Sequence, residues 1–393
     1  MSENISRIQL KPGQLIRPEL SEQEAGKLIE KLYGVQIKSI SEQNSYDDKN
    51  YLVLLNERWN NPHIKTLWSH GYVFKVLNSM DSQKKHVEAE HEMEHILMKI
   101  GINCPVPELN IHGKEYSMEK IYRKKCNEKE ADNEGQPYGL HICRLMKYVP
   151  GKIFHAVPYV PSLVFEVGVY TAMIQESLKD FDHPALRNHK TIWSLASLPD
   201  LRDFIYVIED KEHKTLISEI LDVFTNEVIP LYSKLKQGVI HGDINEQNII
   251  VSEKAEHGRL SFNQAEHEVY GILDFGDSTY SYYIFDLAIA IMYMSIDNQI
   301  TDPLLVGGHV LAGYCSKHPL NKFEFDALKV CVAGRYAQSL VLGQYTLSVD
   351  PSNDYVVITA KNGWSQLRIL WDTPKDELYK KWHSVMNAYK TGC

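Results

Sequence analysis

Several things are scarce in this sequence of 393 residues. Its six cysteines, at 104, 126, 143, 315, 331 and 393, form no C-x-x-C pair and show no ligand spacing with histidine, which excludes a disulfide framework and a structural zinc site and leaves reduced thiols. No apolar run is long enough to span a bilayer: the stretch near Ala288 is too short, and Met1-Ser2-Glu3-Asn4 lacks a basic region leading into an apolar core. The expectation is a cytoplasmic protein with no membrane partner. Basic charge is also in deficit, with 42 Lys and Arg against 51 Asp and Glu, a net charge of -9. The lysines are scattered rather than gathered into a basic stripe with interleaved aromatics, so no nucleic acid partner is expected. Repeats and low-complexity tracts are absent. A chain of this length can bury a sizeable core, and one catalytic unit of two lobes suits it better than several independent domains.

What is present is a pair of motifs: His241-Gly242-Asp243-Ile244-Asn245-Glu246-Gln247-Asn248, then Ile272-Leu273-Asp274-Phe275-Gly276. An aspartate and an asparagine five residues apart share one loop, so the carboxylate can face a substrate hydroxyl while the amide turns to a nucleotide-bound metal. The pattern makes Asp243 the candidate base for phosphoryl transfer and Asn248 and Asp274 the candidate Mg2+ ligands. Ile249-Ile250-Val251 and residues 269–273 are apolar or β-branched, with polar residues between, and read as a hairpin that brings Asn248 close to Asp274. The competing reading is structural: Asn and Asp are common in turns and at helix caps. His241 is expected to brace the loop rather than act as acid or base, since Asp243 fills that role.

Upstream, Tyr72-Val73-Phe74-Lys75-Val76-Leu77 is a strand with one charge in its middle, and Lys75 is the candidate phosphate ligand. Residues 86–100 carry apolar side chains at helical spacing, with glutamates at 88, 90, 92 and 94. A glycine-rich loop over the phosphates is missing. In its place Asn44-Ser45-Tyr46-Asp47-Asp48-Lys49-Asn50-Tyr51 reads as the polar turn of a hairpin whose Ser45 hydroxyl and backbone amides approach a nucleotide. Asp47 and Asp48 either fix that turn or face a cationic substrate.

Residues 1–146 are read as an N-terminal nucleotide-binding lobe, 147–151 as a hinge and 152–393 as a catalytic and substrate-binding lobe. Around the hinge, the backbone of Met146 and Tyr148 is expected to meet the purine edge, and Pro150-Gly151 to turn the chain. Residues 124–137 are densely charged and read as a loop. Periodicity predicts helices over 163–178, 215–236 and 325–346. Asp277 either holds a substrate ammonium or caps the next helix, and Tyr282 follows it as a candidate substrate contact. Arg335 falls on an otherwise apolar helix, where its guanidinium needs a carboxylate, either the substrate's or an internal one.

With these motifs in order, the chain resembles the aminoglycoside phosphotransferase type of small-molecule kinase, and within it the hydroxylysine kinases of lysine catabolism. The resemblance covers nearly the whole chain. Besides the base and metal motifs it rests on Ser45-Tyr46-Asp47-Asp48-Lys49-Asn50, Ile291-Met292-Tyr293-Met294, Val306-Gly307-Gly308-His309-Val310-Leu311-Ala312-Gly313 and Thr359-Ala360-Lys361-Asn362-Gly363-Trp364. It implies an α+β, two-lobed protein-kinase-like fold, with a β-rich first lobe carrying one long helix and a larger, mainly helical second lobe. It also implies transfer of the GTP γ-phosphate, with Mg2+, to the side-chain hydroxyl of 5-hydroxy-L-lysine, ATP remaining open as donor. Glu90, seven residues before Leu97 as in related kinases, is then the partner of Lys75, with Glu88 as alternative. Asp286 matches the position of a buried carboxylate that braces the catalytic loop. The alternatives are a kinase for choline, ethanolamine, homoserine or an aminoglycoside, or a nucleotide-binding pseudokinase that scaffolds partners.

Overall fold

A computed structural model describes residues 16–45, 47–122, 138–254, 266–349 and 357–391, without the side chains of 357–361. Tyr46 and the charged stretch 124–137 lie outside the described residues. The chain forms two compact units, one of residues 1–98 and 104–150, the other of 99–103 and 151–393.

The first unit opens with α1 (Glu22–Tyr33), nucleated by a capping box in which the Ser21 hydroxyl accepts from the Glu24 N–H at 3.3 Å and the Glu24 carboxylate accepts from the Ser21 N–H at 2.8 Å. Strands β1 (Val35–Gln43), β2 (Lys49–Trp59) and β3 (Tyr72–Val76) follow, then α2 (Lys84–Lys99), β4 (Ser117–Tyr122) and β5 (Tyr138–Lys147). All neighbouring strands pair antiparallel, in the order β1-β2-β3-β5-β4. Strand alternation decides the faces. Tyr72, Phe74 and Val76 enter a core with Ala25, Ile29, Tyr33 and Leu145, so Lys75 emerges on the opposite face, directly across from Arg144 of β5.

The second unit contains β6 (Lys152–Ile153), α3 (Pro161–Ser177), α4 (Pro184–Asn188), α5 (Lys211–Val223), β7 (Gln237–Ile240), β8 (Ile249–Glu253), β9 (His267–Ile272) and β10 (Thr279–Tyr282). Helices α6 (Tyr283–Ile296), α7 (Pro303–Cys315), α8 (Lys322–Val349), α9 (Val357–Asp372) and α10 (Lys375–Thr391) complete it. Every residue of α6 is buried, so the apolar run near Ala288 is a core helix. No described helix is long and apolar enough to cross a membrane. Helices α3 and α7 meet almost backbone to backbone: a Cβ on Gly168 would lie 2.0 Å from the Val310 carbonyl oxygen, and one on Gly313 would lie 1.9 Å from that of Phe165. The helix expected over 215–236 is interrupted. After α5 the chain forms a π turn over Phe224–Val228 and a 3-10 helix over Ile229–Lys234, because Pro230 has no N–H to continue the ladder and its ring crowds the preceding turn. The first unit is a sheet with one long helix and the second is mainly helical, the α+β division expected.

Candidate active site

The loop between β7 and β8 is built almost entirely by hydrogen bonds among its own residues and from α6. Gly242 has φ +87°, and a Cβ there would stand 2.3 Å from the Asp277 carbonyl oxygen, so only glycine fits. The fully buried Asp286 of α6 accepts the Gly242 N–H at 2.8 Å on one carboxylate oxygen, and the His241 N–H at 3.0 Å and Gln175 Nε2 at 3.2 Å on the other. Asp286 therefore braces the loop through backbone N–H groups. Its pKa is pushed up by burial, against the pull of His241 and these donors. His241 braces as well. Its Nδ1 accepts the Asp243 N–H at 3.2 Å, so the ring proton resides on Nε2, which donates to the Leu273 carbonyl at 3.0 Å.

Asp243 stands at the centre, with its side chain 21% exposed. One carboxylate oxygen accepts from Asn245 Nδ2 at 2.7 Å and Asn248 Nδ2 at 2.9 Å; the other accepts from Arg335 Nη2 at 2.7 Å. Arg335, expected as a substrate-carboxylate ligand or the partner of an internal acid, thus has an internal partner. A buried guanidinium requires one. Its Nη1 donates to the Trp193 carbonyl at 2.9 Å, and the rings of Trp193 and Tyr293 lie 5.3 and 5.4 Å from it. Burial works against its charge, but Tyr293, Asp243 and Asp277 more than offset that and hold its pKa above the usual arginine value.

The expected hairpin is present: β8 and β9 pair antiparallel, Ile249 lies opposite Ile272, and the Leu273 N–H donates to the Asn248 carbonyl at 2.8 Å. The next residue is Asp274, the only non-glycine at positive φ (60°) among the described residues. A bulkier L-residue rarely sits there, and such backbone clusters at functional sites. Its side chain is exposed while Phe275 turns inward, its ring centroid 4.8 Å from that of His241. Asp277 caps no helix, since β10 intervenes before α6; it accepts from the Thr191 hydroxyl at 3.2 Å and acts on Arg335 as a nearby charge. Tyr282 is set apart. It pairs with Gln237 at the end of β7 remote from His241, and its ring packs on Tyr232 at 4.2 Å and Phe285 at 5.2 Å.

In the first unit Lys75 Nζ lies 3.4 Å from Asp48, whose other oxygen accepts the Asn78 backbone N–H at 2.8 Å, so Asp48 ties the β1–β2 turn to the residues after β3. The Ser45 hydroxyl donates to the Asp48 carbonyl at 2.5 Å. Glu90 is buried, and its ion pair runs to Arg144 Nη2 at 2.7 Å, with His86 Nε2 at 3.5 Å. Burial pushes the Glu90 carboxyl up, but Arg144, then His86 and Lys75, outweigh it and hold the pKa below the usual range. Arg144 takes the position expected of Lys75 because the two cations are register partners on neighbouring strands. Glu88 instead accepts from the Tyr116 hydroxyl at 2.7 Å. Met146 is buried in β5, and Tyr148 spends its N–H on the Gly71 carbonyl at 3.1 Å while its own carbonyl accepts from Trp68 Nε1 at 2.8 Å.

Sequence reading missed several residues. Asn245 accepts the Gln247 and Asn248 N–H groups at 2.8 and 2.9 Å and so shapes the loop; its place inside the motif was the available signal. Asp286, already marked by the resemblance as the brace, shares one helical stripe with Tyr293 and Asp297, seven and eleven residues further along α6 and its C-terminal cap. Nothing local marks them as a group. Glu246, 6% exposed, has its pKa raised to about 7 by burial, with Asp297 and Asp243 adding to the shift.

A sequence model described as "Phosphotransferase enzyme family" matches residues 52–318. The chain belongs to that family. Among curated proteins, hydroxylysine kinase of Xenopus laevis is 34% identical over 379 residues, covering 95% of this chain and 96% of that one. Hydroxylysine kinase of Bos taurus is 31% identical, covering 96% of each. Among solved structures, an amicoumacin kinase in complex with AMP-PNP, Ca2+ and Ami shares the fold with TM-score 0.62 at 18% identity, over 90% of this chain and 95% of that one. A microcompartment-associated aminopropanol kinase gives TM-score 0.61 at 15% identity, over 88% and 95%. The phosphotransferase is thus a small-molecule kinase of two-lobed fold.

Proposed function

We propose that this phosphotransferase moves the γ-phosphate of GTP to the side-chain hydroxyl of 5-hydroxy-L-lysine, with Asp243 receiving the proton. The observation that carries the proposal is the restraint on Asp243: three side-chain donors, Asn245, Asn248 and Arg335, fix a carboxylate that remains partly open to solvent. The oxygen facing Arg335 accepts the Arg335 Nη2 donor, and its second lone pair can take a substrate hydroxyl. The hydroxyl oxygen bonds to the γ-phosphorus, the bond from that phosphorus to the β,γ-bridging oxygen breaks, the hydroxyl proton passes to Asp243, and GDP leaves. In a loose transition state the proton moves late and positioning dominates, which a carboxylate held by three donors supplies.

The residues present fit a magnesium ion. Asn248 spends its amide N–H on Asp243, which presents its carbonyl oxygen as the remaining donor, and Asp274 holds an exposed carboxylate on a constrained backbone. Oxygen donors of this kind suit a hard dication, and Mg2+ held by Asn248 and Asp274 would neutralise phosphate charge. In the first unit Lys75 is proposed for the phosphates, exchanging Asp48 for them. Met146 is proposed for the purine edge. Tyr148 has only a carbonyl lone pair to add, and Ser45 serves the turn that Asp48 closes.

The test is product formation with hydroxylysine, homoserine, choline, ethanolamine and L-lysine at matched concentrations, with GTP and separately with ATP. Hydroxylysine with GTP should dominate, and L-lysine, lacking the attacking oxygen, should give no product. A preference for choline or ethanolamine would overturn the acceptor assignment, and a preference for ATP the donor assignment.

A further inference from the structure

Glu246, Asp297 and His155 converge in the second unit. One oxygen from each carboxylate and a ring nitrogen of His155 all lie within 4.8 Å of one another. Glu246 Oε2 is buried and has no hydrogen-bond partner, and Oε1 receives a long contact from Gln247 Nε2 at 3.5 Å. Among the described residues, no lysine or arginine pairs with Glu246 or Asp297. Asp297 is the C-cap of α6, so the last carbonyls of that helix add further negative potential to the same place, and the last turn holds no basic residue. A buried carboxylate, a second carboxylate and a helix C-terminus without a cation constitute a charge deficit that a bound cation would relieve. The surroundings are aromatic. The Tyr159 hydroxyl lies 3.5 Å from His155 Nδ1, and Tyr293 on α6 is acted on by both Glu246 and Asp243.

We propose that Glu246, Asp297 and His155 form the seat of a primary ammonium group of the acceptor, three residues along the loop from Asp243. The proposal rests on the reading of this enzyme as a kinase for an amino alcohol. Three acceptors around one ammonium nitrogen, each at about 2.8 Å in tetrahedral directions, stand roughly 4.6 Å from one another. A tetrahedral dication bound at about 2.1 Å would draw its ligands together to roughly 3.4 Å. The 4.8 Å bound on this cluster admits the ammonium, whose three N–H groups would meet one oxygen each of Glu246 and Asp297 and a ring nitrogen of His155.

The test compares wild type with Glu246→Gln and Asp297→Asn in steady-state kinetics, using hydroxylysine and its Nα-acetyl and Nε-acetyl derivatives as acceptors. Each variant should raise KM for hydroxylysine by about 10- to 100-fold, the worth of a charge-assisted hydrogen bond, with KM for the nucleotide unchanged. One of the two acetylated acceptors should be poor with wild type and insensitive to both substitutions. Thermal unfolding without ligand should show Glu246→Gln at least as stable as wild type, since it removes an unpaired buried charge, and this separates lost binding from lost folding. Equal KM effects on all three acceptors, an effect on kcat alone, or stoichiometric Zn2+ or Mn2+ binding that the variants abolish would each overturn the proposal. If hydroxylysine itself is not phosphorylated, the proposed function fails, and the same comparison on whichever amino alcohol turns over decides the ammonium seat separately.

Discussion

Replacing Asp286 by asparagine isolates the brace beneath the catalytic loop, because size is kept and only one acceptor oxygen is lost. In its better orientation the new amide oxygen keeps the bonds from His241 and Gln175 and turns its NH2 toward the Gly242 N–H, which then has no acceptor. An unsatisfied buried N–H costs about 1–3 kcal/mol, and loss of charge assistance in the two remaining bonds costs about 1 kcal/mol each. Neutralising a carboxylate whose pKa burial already raises returns part of that loss. The net is a loss of about 2–4 kcal/mol, within the ~5–15 kcal/mol by which domains are stable, so the variant should fold. Urea unfolding should show the loss as a lower midpoint at unchanged slope. Turnover should fall at least tenfold, with little change in nucleotide KM, because Asp243 follows Gly242 directly. A variant as stable and as active as wild type would refute the idea that this carboxylate holds the loop.

Asp243→Asn should slow turnover by ~10²- to 10⁴-fold and also lower the unfolding midpoint, because the buried Arg335 loses its carboxylate; near-normal turnover in the folded variant would remove Asp243 from the role of base. Asp274→Ala should abolish the dependence of nucleotide binding on Mg2+, read by titration calorimetry with and without the ion, and an undiminished dependence would rule out the metal assignment. Glu94 is buried on α2 with its pKa raised well above the usual carboxylate value by burial, and Glu90 adds to the shift against Arg144. A group that binds its proton more tightly when folded stabilises fully below its unfolded pKa and loses that contribution as pH rises. Wild type should therefore lose thermal stability from about pH 4.5 upward, and Glu94→Gln should flatten that decline; identical slopes would show that Glu94 titrates normally.

The elements that carry chemistry were legible because they obey local rules. Residues 249–251 and 269–273 are apolar or β-branched and bound a polar stretch, so the hairpin joining Asn248 to Asp274 could be read directly. The lysine on β3 stands out because its strand neighbours are apolar. What could not be read was pairing between charges distant in sequence. Arg335 on α8 plainly needed a carboxylate, but its choice of Asp243 depends on how α8 packs in the second unit. Arg144 was visible in the middle of an apolar strand, yet only the register that sets it beside Lys75 shows why Glu90 turns to it. The 215–236 helix was a misjudgement the sequence could have prevented, since Pro230 sits inside it. Glu246 reads as an ordinary polar loop residue, and only its burial makes it conspicuous.

Helix α6 works as a ruler. From Asp286 to Asp297 it rises about 16 Å, and those two residues meet the loop after β7 at its start, His241 and Gly242, and further along at Glu246. One graduation lies under the base and the other under Glu246, and the rod between them is buried along its whole length. Losing a single residue between 287 and 292 would turn the far end by about 100°, carrying Tyr293 and Asp297 away while the brace stayed in place. The loop brace and the far end of α6 can therefore be displaced independently, one by substitution at Asp286 and the other by a change of residue count in the helix.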